Sequence, residues 1–211
     1  MAEPEAVILV HGLWVHGVVM ALLERRIARH GYRVRSYSYP SLRCTLRENV
    51  ERLARYCRGI VAQRLNFVAH SMGGLVVMEM LAAHREFATG RVVLMGTPYG
   101  GSFAARRLMR LPGGPALLGC CLPEWLGRAT PPVLPQVEIA VLAGRVGIGL
   151  GRLIAPDMPK PNDGVVAVSE TAVPGMRDHI VLDVNHTGML LSGEVAAQVC
   201  TFLDRGTFVH G

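Results

Sequence analysis

The chain has 211 residues, a length that suits one domain with a well-buried core and is short for two. Half of the residues are hydrophobic and 18% are charged, which excludes a disordered segment or a fibre. The formal charge of +6 comes almost entirely from arginine, since Lys160 is the only lysine. The arginines form no known nucleic-acid motif and are not interleaved with aromatic residues, so we expect no nucleic-acid partner.

Cysteine usage and the N-terminal segment indicate the cellular setting. The five cysteines contain no CxxC pair, so we expect reduced thiols and neither a disulfide framework nor a zinc site. The segment "MAEPEAVILVHG" carries two acids and no basic region, unlike a secretory signal. No stretch reaches the roughly 18 to 20 apolar residues that a membrane span requires. We therefore expect a cytoplasmic protein without stable membrane insertion.

Short apolar runs alternate with segments of helical spacing along the whole chain. The predicted strands are residues 6–10, 32–39, 65–69, 91–96, 137–144 and 179–184. The predicted helices are residues 16–30, 45–64, 73–85 and 189–204. Such alternation implies parallel βαβ units, and therefore an α/β fold with a mostly parallel sheet of about six strands flanked by helices.

One segment interrupts this alternation. Residues 101–136 are rich in glycine and proline, yet they also carry several large apolar side chains. We interpret the chain as a single domain over residues 1–211 with a short, apolar, lid-like insertion at about 101–136.

The stretch "VAHSMGGLV" places Ser71 between a predicted strand and a predicted helix. A turn this sharp needs small flanking residues, here Ala69 and Gly73, and it would expose the serine at the carboxyl end of the sheet. The helix N-terminus there favours a developing negative charge. Two interpretations stay open: Ser71 is a nucleophile, or it is only the N-cap of the helix.

A nucleophilic serine needs a base and an acid that orients the base. Of the eight histidines, His186 in "HIVLDVNHTGML" follows the last predicted strand and shares an edge with Ser71. We expect His11 and His70 to matter through their backbones rather than their rings. Asp163, in the loop "PKPNDGVVAVSE", is the favoured acid. The alternatives are Asp157, Asp178 and Asp183, and Asp163 itself could be an ordinary turn aspartate.

Two backbone amides complete the predicted site. The residue after the serine, Met72, offers one N–H, and Leu13 in "VHGLW" offers the other at the end of the first strand. Such a pair of donors can stabilise an oxyanion.

Five segments together resemble the α/β-hydrolase fold and, within it, bacterial lipases of the Pseudomonas and Burkholderia type. They are "VILVHGLW", "VAHSMGGL", "LMGTPYGGS", "NDGVVAVSE" and "VNHTGML". The resemblance implies Ser71 as nucleophile, His186 as base and Asp163 as acid, with Leu13 and Met72 as oxyanion donors. The chain departs from the family in that it begins at the "HG" strand, so we expect a compact form without the two leading antiparallel strands. The segment after His186 has no adjacent acid, so we expect no calcium, and no other metal or cofactor.

The predicted function is a serine hydrolase that cleaves carboxylic esters with an apolar acyl group, taking a small-molecule ester or lipid as substrate. A transient contact with a lipid surface fits this substrate. A thioesterase, a phospholipase and an acyltransferase use the same residues and stay open as alternatives. A non-catalytic relative that binds a ligand or serves as a scaffold is a further alternative.

Overall fold

A computed structural model of the chain describes residues 5–127 and 136–211. Residues 128–135 of the predicted insertion and residues 1–4 lie outside the described residues.

Six strands in the described part of the chain form a single sheet. They are β1 (Ala6–Val10), β2 (Arg33–Tyr37), β3 (Leu65–His70), β4 (Val92–Met95), β5 (Ile139–Gly144) and β6 (Asp178–Leu182). Their order across the sheet is β2-β1-β3-β4-β5-β6, and every neighbouring pair is parallel. The predicted parallel sheet is confirmed, and each predicted strand overlaps an observed one.

Helices connect these strands within the described residues. They are α1 (Ala21–Ala28), α2 (Leu46–Arg58), α3 (Met72–Ala83), α4 (Phe103–Met109), α5 (Gly114–Leu118), α6 (Cys121–Leu126), α7 (Gly151–Ile154), α8 (Val168–Thr171) and α9 (Gly193–Arg205). The three helices α4 to α6 belong to the predicted insertion.

Helix ends differ from the sequence-based prediction for local reasons. The helix predicted over 45–64 starts as expected, because Thr45 and Glu48 form a capping box, but it ends at Arg58 before Gly59. The helix predicted over 16–30 opens with a 3-10 turn at Gly17–Met20, where a glycine and two valines disfavour the α conformation.

The sheet has one apolar layer on each face, because alternate side chains of a strand point to opposite faces. In β1, Ile8 and Val10 pack with α2 and α3, whereas Val7 and Leu9 pack with α1 and α9. All of these strand residues are 0% exposed. Burial on both faces explains why the strands read as continuous apolar runs.

The strand order places a crevice at one point of the sheet. Strand β1 lies between β2 and β3, so the connections that leave β1 and β3 run in opposite directions. In open α/β sheets, ligands bind outside the carboxyl ends of the strands at such a reversal. The segments that follow β1 and β3 are those containing Leu13 and Ser71.

No helix in the described part of the chain is both long and apolar enough to cross a membrane.

The turn after β3 packs directly against the end of β1. A Cβ atom at Gly73 would collide with the backbone carbonyl oxygens of Val10 and His11. We expect Gly73→Ala to lower the free energy of unfolding by about 1–3 kcal/mol, because a backbone clash cannot be relieved by a side-chain rotation. Chemical denaturation measures this difference.

Gly193→Ala is the matched control. Gly193 is also helical, and a Cβ there meets no atom within 4 Å. We expect this variant to keep the wild-type stability or to gain up to about 1 kcal/mol. Equal stability of the two variants would contradict the proposed packing.

Candidate active site

Ser71 lies between β3 and α3, at a turn where its backbone adopts φ 55° and ψ −129°. A positive φ is rare outside glycine, and holding one costs on the order of 1–3 kcal/mol. Ser71 occupies the N-cap position of α3, yet its side chain makes no capping hydrogen bond. Ser71 instead lines a cavity at the carboxyl edge of the sheet.

Asp163 and His186 are in direct contact. Asp163 Oδ2 lies 2.7 Å from His186 Nδ1, and the His186 amide donates to the Asp163 backbone oxygen at 2.9 Å. The other carboxylate oxygen accepts the N–H groups of Val165 and Val166 at 2.9 and 2.8 Å. A carboxylate only accepts, so Nδ1 of His186 carries a hydrogen, and in the neutral form of the ring Nε2 is the acceptor.

The alternative acids lie elsewhere. Asp157 and Asp183 form exposed ion pairs with arginines. Asp178 opens β6, at the opposite end of the strand from His186, and it lies 2.9 Å from His210 Nε2. Asp163 alone among the four touches His186 within the described residues, and it is 1% exposed.

Leu13 and Met72 both line the same cavity. Met72 is the first residue of α3, so its N–H has no acceptor within the helix. Among backbone hydrogen bonds of the described residues, neither amide is a donor. The two segments are close, because a Cβ at Gly12 would lie 2.9 Å from the Cβ of Ser71.

His70 contributes a side chain that sequence reasoning missed. Its Nε2 lies 2.9 Å from the His186 carbonyl oxygen, and the two rings are 4.5 Å apart. Burial lowers the pKa of His70 to about 3, with the neighbouring His186 as a further cause. The ring is therefore neutral, and Nε2–H is the donor to the carbonyl.

The ring of His11 is also engaged. It is 0% exposed, and its Nδ1 lies 2.8 Å from the Gly12 carbonyl oxygen. Both rings are thus hydrogen-bonded and buried, a role that the expected emphasis on the backbones of His11 and His70 did not include. The one signal in the sequence was their position beside Gly12 and Ser71.

The cavity beside Ser71 has a volume of about 380 Å³ and an apolar wall. Besides Ser71 and His186, it is lined by side chains of the insertion and of the segment 148–154: Ala104, Ala105, Leu108, Leu118, Leu122, Ile148, Leu150 and Ile154. No acidic residue, lysine or arginine lines it in the described part of the chain. Such a wall suits an uncharged, apolar ligand group.

A second cavity, of about 320 Å³, lies beside the first, and Trp14 and Val15 line both. The indole Nε1 of Trp14 donates to the Leu117 carbonyl of the insertion at 2.7 Å, and the backbone of Trp14 adopts φ 63°. Helices α4 to α6 of the insertion thus contact the site, while its lid-like role stays a prediction.

The described residues contain no group of three or more histidine, cysteine, aspartate or glutamate side chains that could hold a metal ion.

Comparison with known sequences identifies a family. A profile described as "Alpha/beta hydrolase family" matches residues 7–199. A search of curated protein sequences finds no match.

Solved structures of similar fold include several hydrolases. A Bacillus licheniformis lipase, BlEst2 in mature form, is 18% identical, with a TM-score of 0.70 over 96% of this chain and 91% of that one. A metagenomic carboxyl esterase, MGS0156, is 19% identical, with a TM-score of 0.67 over 88% of this chain. The chain spans only 65% of that esterase. The pyrethroid hydrolase PytH is 14% identical, with a TM-score of 0.64 over 96% of this chain and 98% of that one. At these identities the likeness shows the fold.

The low pKa of His70 has a consequence for stability. Below pH 6.5 the unfolded chain protonates this histidine, whereas the folded chain resists protonation down to about pH 3. The contribution of neutral His70 to the free energy of unfolding is therefore complete above pH 6.5 and is lost as the pH falls from 6.5 towards 3. We expect His70→Gln, which can keep a donor to the His186 carbonyl, to reduce that loss by roughly 1 kcal/mol per pH unit.

Chemical denaturation of both proteins between pH 7 and pH 4 measures this effect. Burial also lowers the pKa of His11, so the variant retains part of the slope. Parallel stability curves for the two proteins would contradict a neutral, buried His70.

Proposed function

The chain belongs to the alpha/beta hydrolase family, and on this basis we propose that it is a serine hydrolase that cleaves carboxylic esters through an acyl-enzyme on Ser71. One observation carries the proposal. An uncapped serine at a strained strand-to-helix turn borders the same cavity as a histidine whose Nδ1 lies 2.7 Å from a buried aspartate. Such a serine, base and acid are the parts that acyl transfer requires.

In the proposed first step, Ser71 Oγ attacks the ester carbonyl carbon while His186 Nε2 accepts the hydroxyl proton. The carbonyl oxygen becomes an oxyanion, to which the N–H groups of Leu13 and Met72 would donate. Collapse of this intermediate breaks the bond to the alcohol, which takes the proton from His186. The acyl group then remains on Ser71.

Water completes the proposed cycle. His186 accepts a proton from water as the water oxygen attacks the acyl carbon, and the second tetrahedral intermediate releases the carboxylic acid. Ser71 recovers its proton from His186. Asp163 holds the imidazole in the required tautomer and stabilises the imidazolium ion that forms in each half of the cycle.

The cavity wall supports an apolar acyl group as part of the substrate. Its volume of about 380 Å³ and the lack of acidic, lysine and arginine side chains among its described lining residues suit a hydrocarbon chain. The apolar surface extends from the cavity to the outside of the protein, because Ile148 and Leu150 line the cavity and are also 67% and 63% exposed. A small ester or a lipid is the substrate class we propose. The finer resemblance to Pseudomonas and Burkholderia lipases and the cytoplasmic setting stay predictions.

Replacing the proposed nucleophile tests the function. We expect wild-type protein to bind a fluorophosphonate probe covalently and to hydrolyse p-nitrophenyl esters, with butyrate and longer acyl chains preferred over acetate. Ser71→Ala should lose labelling and about a millionfold in kcat, because no other group can form the acyl-enzyme. Wild-type protein that neither labels nor hydrolyses would overturn the enzyme proposal, and activity retained in Ser71→Ala would overturn the mechanism.

Replacing the proposed acid separates it from its alternatives. We expect Asp163→Asn to lower kcat about 10⁴-fold, because an amide in place of the carboxylate favours the wrong histidine tautomer. Asp183→Asn is the matched control, since Asp183 forms an exposed ion pair with Arg145. Steady-state kinetics should show an unchanged kcat for this control. Equal effects of the two substitutions would count against Asp163 as the orienting acid.

A further inference from the structure

In the peptide bond between Gly12 and Leu13, the carbonyl accepts a hydrogen bond, and the amide donates to no backbone acceptor among the described residues. The Gly12 oxygen lies 2.8 Å from Nδ1 of His11, and a carbonyl oxygen only accepts, so Nδ1 carries the hydrogen and donates it. The Leu13 N–H belongs to the same planar unit and points in the opposite direction. Gly12 and Leu13 border the cavity, while the His11 ring is 0% exposed.

Neighbouring groups hold the His11 ring in a single orientation and tautomer. Its Nε2 accepts the Tyr39 backbone N–H at 3.2 Å, and the Ser38 hydroxyl lies at 3.4 Å. The Tyr39 ring stacks on the imidazole at 4.5 Å, and its hydroxyl donates to the His11 carbonyl at 2.9 Å. A hydrogen on Nε2 would face the Tyr39 N–H, donor against donor.

Electrostatics favours the same state of the ring. Burial lowers the pKa of His11, and nearby His16 lowers it further, while the bond to Gly12 acts in the opposite direction. Tyr39 is 3% exposed, and burial holds its pKa well above the usual value, so its hydroxyl stays a donor.

We propose that His11 is a positioning residue for the reaction: its Nδ1–H fixes the Gly12–Leu13 peptide so that the Leu13 N–H faces the oxyanion of the tetrahedral intermediate. This inference rests on the proposed function and adds a residue to it. His11 does not touch the substrate, and it acts through one peptide plane. A small rotation of that plane would misdirect the donor, and a misplacement of about 1 Å can cost about a hundredfold in rate.

Two amide variants separate the two nitrogens of the imidazole. In His11→Asn, the side-chain amide can occupy the place of Nδ1 and donate to Gly12. In His11→Gln, the longer amide reaches the place of Nε2 and can accept from Tyr39, but it leaves the Gly12 carbonyl unbound. We expect His11→Asn to keep kcat within about fivefold and His11→Gln to lose about 10- to 100-fold in kcat with KM nearly unchanged.

Binding of an oxyanion analogue gives a readout that a merely structural role would not move. A trifluoromethyl ketone with an octyl chain adds to Ser71 Oγ, its carbonyl oxygen becomes negative, and the serine proton passes to His186. The matching alcohol binds without forming an oxyanion. In His11→Gln the inhibition constant of the ketone should rise about 10- to 100-fold, whereas that of the alcohol should stay within about twofold.

The possible outcomes are distinct. Equal kcat and equal ketone affinity in the two amide variants would overturn the role of His11, as would equal weakening of ketone and alcohol in His11→Gln. If His11→Gln does not fold, His11→Asn decides, because a loss of kcat and ketone affinity in that folded variant also overturns it. Wild-type hydrolysis that Ser71→Ala leaves intact would instead overturn the proposed function, and this inference with it.

Discussion

The close approach of two chain segments, one after β1 and one after β3, governs the geometry of the whole site. Gly73 packs against carbonyl oxygens at the end of β1, and Gly12 faces the Cβ of Ser71. The approach is possible because β1 and β3 are parallel neighbours and because both positions lack a side chain. Ser71 keeps a positive φ in this turn, and strain of this kind persists only where the surrounding structure holds the residue in place.

Three buried histidines form hydrogen bonds that fix the polar groups at this edge of the sheet. The ring of His11 is hydrogen-bonded to the Gly12 carbonyl, and that of His70 to the His186 carbonyl. The ring of His186 is hydrogen-bonded to the Asp163 carboxylate. Each ring nitrogen so bonded must be the donor, and the tautomer of each ring follows. A buried network of this kind favours one arrangement, because an oxygen that lost its histidine donor would be left unpaired away from water.

Much of this arrangement could be predicted from the sequence, because it depends on chain order and parallel strands. Ser71 and His186 each follow an apolar strand, and the carboxyl ends of parallel strands share one edge. The contact between Asp163 and His186 depends on loop geometry, which the sequence does not reveal. Four aspartates were therefore candidates for the orienting acid, and the structure shows which of them contacts the histidine. The bond to Nε2 of His11 comes from Tyr39, which lies 28 residues away, just beyond the end of the neighbouring strand β2, and no local pattern indicates such a contact. The predicted helix ends were wrong where a glycine or a pair of valines limited the α-helix within the apolar periodicity.

Trp14 and Val15 line both cavities, and the indole nitrogen of Trp14 donates to a carbonyl of the insertion. Both residues lie between β1 and the 3-10 turn at Gly17–Met20, so this part of the chamber wall is built from a loop rather than from a strand or a helix. Replacement of these two side chains would reshape both spaces while leaving the sheet and the aspartate–histidine pair in place. Variation in the size of ligand that this scaffold accepts can thus arise in one loop, outside the side chains proposed to react.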